Sequence, residues 1–115
     1  MEPVRERLQT ALRGAMKARD RAAVAALRSA LAALDNAQAV EADVAPVEHE
    51  HFAGTAGGLG AGEAPRAALD EPASRAIVAR EVQERRDAAD EYERHGRDDE
   101  ATRLRAEAEL LAAFA

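Results

Sequence analysis

Three observations predict an all-α chain folded as a compact bundle of about four helices. Apolar side chains recur at spacings of three and four in four separate stretches. No stretch alternates with the period of two that a half-buried strand requires. Glycine and proline gather between residues 41 and 69, where they mark one long Gly/Pro-rich loop between the second and third helices.

The first helix follows Pro3, a residue tolerated in a first turn, and carries Val4, Leu8, Leu12 and Ala15 on one face. It fades near Met16-Lys17-Ala18-Arg19. Asp20 then reads as an N-cap, because its carboxylate can accept from the free N–H groups of the next turn. Behind it Val24, Leu27, Leu31 and Leu34, with Gln38 next, form a seam of coiled-coil type, the strongest periodic signal in the chain. Pro46, Pro65 and Gly54, Gly57, Gly58, Gly60 and Gly62 then oppose both helix and strand. The run Gly58-Leu59-Gly60-Ala61-Gly62-Glu63-Ala64-Pro65 lacks the lysine and hydroxyl residue of a phosphate loop, and no strand precedes it, so it reads as a surface loop.

The third helix is expected to open near Asp70-Glu71-Pro72, with acidic groups at the positive end of its dipole. Ile77, Val78, Val82, Arg85, Ala89 and Tyr92 trace its apolar stripe, the stem of Arg85 covering surface, and Gly96 supplies a left-handed stop. A fourth helix, from Asp98 or Asp99 to the last residue, presents Leu104, Ala108 and Leu111 with Leu110 and Phe114 beside them.

The 115 residues are room for one domain, 1–115. Its core-formers are Ala, Leu and Val, with Phe52, Tyr92 and Phe114 the only aromatics, so close helix approach must replace bulky packing. Modest stability, or stability gained by forming a homo-oligomer, is expected. The formal net charge of −6 argues against indiscriminate nucleic-acid binding. Charge is unevenly spread, however: residues 1–38 hold seven basic and four acidic groups, residues 39–72 one and seven, residues 73–115 eight and eleven. The absence of cysteine excludes disulfides and thiolate chemistry. No apolar run spans a bilayer and no secretory segment opens the chain, so a cytoplasmic protein without membrane contact is expected.

Several blocks in order resemble the GatB/YqeY family: Leu27-Arg28-Ser29-Ala30-Leu31, Arg80-Glu81-Val82-Gln83-Glu84-Arg85-Arg86-Asp87, Glu91-Tyr92-Glu93, Gly96-Arg97 and Leu104-Arg105-Ala106-Glu107-Ala108-Glu109-Leu110-Leu111. These helical proteins are related to the tail of the B subunit of glutamine-dependent aminoacyl-tRNA amidotransferase. The resemblance covers nearly everything outside residues 41–69. It implies an association with tRNA or a translation-related protein, and the family label of carbon–nitrogen ligase with glutamine as amido-N-donor. Because the glutaminase and kinase-like chemistry of that enzyme lies outside the tail, a non-catalytic accessory protein is expected. The alternative is a helical protein–protein interaction module or homo-oligomer. The chain departs from the family in its long glycine-rich connection, and in stopping at Ala115 where relatives continue through a Tyr-Leu-Pro turn into a second helical subdomain. A short form lacking that subdomain is expected.

Candidate sites are few. Glu48-His49-Glu50-His51 has metal-ligand residue types, but it sits in the loop without further histidines, so neither metal nor other cofactor is expected. His95 beside a helix-ending glycine suits the negative end of the dipole. Asp87, Asp90, Glu91 and Glu93 are interleaved with Arg85, Arg86 and Arg94, which reads as a salt-bridged face rather than an acid/base pair. No catalytic residue emerges. The residues singled out for RNA contact are Arg13, Arg28, Arg85 and Arg86. Their functional reading is phosphate contact; their structural reading is a stem over the core and pairing with acidic neighbours.

Overall fold

Helix ends in this chain are set by a few side-chain oxygens and two left-handed residues. The computed structural model describes residues 2–44 and 69–115, and among these lie four helices and no strand. They are α1 (Val4–Ala18), α2 (Arg21–Val44), α3 (Glu71–Arg94) and α4 (Asp98–Ala112).

Pro3 leads into α1 with no capping side chain of its own. The cap comes from across the fold: the Val4 N–H donates to both carboxylate oxygens of Glu71, at 3.1 and 3.3 Å. At the far end Arg19 turns left-handed, φ 59°, and the N–H groups of Arg19 and Asp20 close onto the carbonyls of Met16 and Ala15. Asp20 caps α2 as expected, accepting from the Ala23 N–H at 3.2 Å. Helix α2 then runs to Val44, so residues 41–44 are helical and not part of the connection the glycines and prolines predict. The Glu48–His51 cluster, Phe52, both loop prolines and the five loop glycines lie outside the described residues.

Asp70 caps α3 through the Ala73 N–H at 2.8 Å, with Pro72 in the first turn. Gly96, at φ +75°, ends it, and the Arg97 N–H returns to the Tyr92 carbonyl at 2.8 Å. Asp98, Asp99 and Glu100 open α4 at the end where its dipole favours negative charge. The helix stops at Ala112 rather than at the last residue: the Phe114 N–H bonds Leu111 O in a final tight turn.

The helices pair as two antiparallel hairpins, α1 with α2 and α3 with α4, and α2 contacts both helices of the second hairpin. The core between them holds Val4, Leu8, Ala26, Leu27, Ala30, Leu34, Val78, Val82, Ala108 and Leu111. Each buried leucine contributes about 2–3 kcal/mol, and the alanines allow the helix axes to approach closely. The predicted seam is shifted by one position at its start. Ala23, Ala26, Leu27, Ala30, Leu31 and Leu34 face the core, whereas Val24 stays outside it. Leu27 and Leu34 are fully covered by the chain's own helices, while Val24 and Leu31 are half-buried. Further along the second hairpin only Ala89 and Ala101 are buried, apart from the main core.

Candidate functional site

Arg85 stands where α2, α3 and α4 meet. Its Nη1 donates to Glu81 Oε1 at 3.0 Å and its Nε to Glu107 Oε1 at 3.1 Å, with both carboxylates and the guanidinium largely buried. Ser29 on α2 donates to the same Glu81 oxygen at 3.0 Å, and Arg103 donates to the second oxygen of Glu107 at 2.9 Å. Charge is therefore matched inside the molecule. Two carboxylates held by two arginines and a hydroxyl form a lock between hairpins. The stem-and-pairing reading of Arg85 is the one the geometry carries. Glu107, its main partner from α4, had no signal in the sequence beyond its place in the resemblance, because the pairing spans 22 positions.

The outer carboxylates also find partners. Asp87 accepts from Gln83 at 2.9 Å, and Asp90 and Glu93 both accept from Arg105, at 2.9 and 2.6 Å. The two bonds from Arg105 cross the hairpin rather than running along α3. Glu91 takes Arg94 and the His95 ring. The hydrogen bond from Arg94, and then that arginine's charge, hold the Glu91 carboxyl below its ordinary value, while Glu91 raises Arg94 in turn. Arg105 is raised by its bonds to Glu93 and Asp90. These groups are solvent-exposed and complementary, but of the interleaved arginines only Arg94 pairs with one of the four carboxylates. Arg85 turns inward, Arg86 makes no ion pair among the described residues, and Asp90 and Glu93 take Arg105 from α4. Among the described residues no buried polar side-chain atom lacks a partner, and no three metal-ligating side chains converge.

The turn between α1 and α2 is different. Arg13, Lys17, Arg19, Arg21 and Arg28 are exposed there, and the single carboxylate between positions 13 and 28 is Asp20, which caps α2. None of the five makes an ion pair among the described residues; Arg13 only bonds Thr10, at 3.1 Å. Met16, Arg19, Arg21, Val24, Ala25 and Arg28 line an open cleft of about 480 Å³ at this corner. Met16 is 50% exposed, one of two large apolar residues so placed among those described. Of the four arginines singled out from sequence, Arg28 is in the cleft wall, Arg13 is exposed on α1, Arg86 is exposed on α3, and Arg85 is internal. Sequence reasoning passed over Met16, Arg19 and Arg21. The available signal was the +7 spacing of Arg21 and Arg28, which sets both on one face of α2 beside Val24 and Ala25.

No described helix is long and apolar enough to cross a membrane. A family model described as Yqey-like protein matches residues 61–115, a span that takes in α3 and α4. The blocks from Arg80 to Leu111 fall within it, while Leu27–Leu31 lies outside. No curated protein matches the chain.

Proposed function

Since residues 61–115 are YqeY-like, we propose that this protein is a non-catalytic accessory module of translation that works by binding RNA, its contact surface being the α1–α2 corner. One observation carries the reading. Four of the seven arginines of α3 and α4 are paired with carboxylates, and the other three, Arg75, Arg80 and Arg86, stand on acid-rich α3. The five cations of the corner instead gather around one carboxylate, Asp20, and pair with none among the described residues. A locally positive surface on an acidic protein attracts polyanions to that place in preference to the rest of its surface. The alternative of chemistry finds no support in the grouping of side chains, because the titratable clusters are closed by their own counter-charges.

Filter binding with bulk tRNA over a salt series tests this. Retention is expected at low salt, with log K falling linearly against log salt. Arg13→Ala with Arg28→Ala is expected to reduce that slope by about 0.7–0.9 for each phosphate no longer neutralised. No retention at the lowest salt, where electrostatic attraction is strongest, would discard the RNA reading.

A further inference from the structure

We infer that the α1–α2 corner takes an unpaired segment of RNA, with a base against Met16, Val24 and Ala25 and flanking phosphates on Arg19, Arg21 and Arg28. This rests on the RNA-binding reading and names its ligand class. Charge alone would suit any polyanion. The cleft has more: an apolar floor of half-buried Val24 with exposed Met16 and Ala25, which lies outside the core cluster. Arg21 and Arg28, two turns apart in one row, stand about 10 Å from each other along the helix axis, with Val24 and Ala25 between them.

A duplex offers paired phosphate rails and hides its base faces, so it leaves such a floor unused. An unpaired nucleotide presents both a flat apolar face and phosphates. No aromatic side chain lines the cleft among the described residues, and the thioether of Met16 and the guanidinium planes are the groups there able to lie on a base. Size argues in the same direction. A docked helix needs a long exposed apolar row, yet of the next leucines of α2 Leu27 and Leu34 are sealed in the core and Leu31 packs against it. The apolar floor is only three residues wide, Met16, Val24 and Ala25.

Arg19 adds a second mark of use. It holds the left-handed position that usually falls to glycine, so a charged side chain stands at the corner where backbone preference opposes it.

The test compares three probes on the intact chain by fluorescence anisotropy at low salt: a single-stranded RNA oligonucleotide, the same sequence annealed into a blunt duplex, and inorganic polyphosphate. The single strand is expected to bind about tenfold more tightly than the duplex. Met16→Ser, at a half-exposed position that leaves the helix content intact, is expected to abolish that preference without changing duplex binding. Arg28→Ala should lower the single-strand salt slope by about 0.7. Equal binding of duplex or polyphosphate would overturn the inference while leaving RNA binding standing. Failure of all three probes would remove the RNA reading itself. Tighter binding of an acidic helical peptide that displaces the single strand would reassign the corner to a protein.

Discussion

Glu71 does for α1 what no residue at the start of α1 does. The first N–H groups of a helix have no partner within it, and Pro3 offers no side-chain oxygen. Glu71 meets that need from 67 positions away, and adds negative charge at the positive end of the dipole. Glu71→Ala is therefore expected to destabilise the fold by about 1 kcal/mol, read as a shift of the urea midpoint at unchanged slope. Glu71→Gln should recover part of the stability, because the amide oxygen still accepts. Glu91 illustrates the opposite, a solvent-exposed pair. Its folded-state value is depressed, so whatever it contributes is present above the ordinary value of 4.5 and is lost as pH falls through the lower folded value. Carbon-detected NMR titration is expected to place Glu91 below that ordinary value, and Arg94→Ala to return it there. An unchanged titration in the variant would show that Arg94 is not the cause. At this scale the sequence was legible where partners are close. Asp20 and Asp70 each bond an N–H three residues on. The roles of Glu71 and Glu107 are set by the approach of distant helices, which no local pattern encodes.

The two hairpins turn by the same left-handed device with different residues. Gly96 takes φ +75° without a Cβ to object, whereas Arg19 takes φ 59° with one. An added Cβ at Gly96 would meet nothing within 4 Å, so the cost there is backbone strain alone. Gly96→Ala is expected to destabilise by about 1 kcal/mol. Arg19→Gly is expected to stabilise by about 0.5–1 kcal/mol, relief of strain exceeding the extra freedom of the unfolded chain, while weakening RNA binding. Chemical denaturation of both variants measures the pair. A destabilised Arg19→Gly would mean that the arginine is held there by packing rather than for the corner. The element boundaries were readable because caps and stops are local. The face of α2 was less so. Val24 and Ala23 both fit a three-four repeat with Leu27, and only the positions of the neighbouring helices decide that Ala23 goes inward and Val24 outward.

Taken whole, the chain concentrates its apolar packing where the hairpins overlap. Leu8, Leu27, Leu34, Leu111, Val4 and Val78 are its largest fully buried side chains. All four helices supply them. Beyond Arg85 the second hairpin continues as two helices with only Ala89 and Ala101 buried between them. Each alanine methyl contributes about 0.8 kcal/mol or less, and the Arg105 pairs with Asp90 and Glu93 are solvent-exposed and screened, so they add little. The helix count and the choice of small core residues follow from composition and periodicity. This gradient does not, because Ala89 and Val82 occupy one stripe of α3, and the sequence cannot tell which of them lies beneath the first hairpin. Native-state hydrogen exchange makes the gradient measurable. Amides of residues 89–94 and of 101–104 are expected to open at a lower free energy than those of 30–34, 78–82 and 108–111, and to open together, since the two arms have mainly each other as support. Arg105→Ala should lower the opening energy of the first group and leave the second unchanged. Equal protection throughout would mean that the outer hairpin and the core unfold as one unit, with the Arg85–Glu107 lock carrying cooperativity past the last leucine.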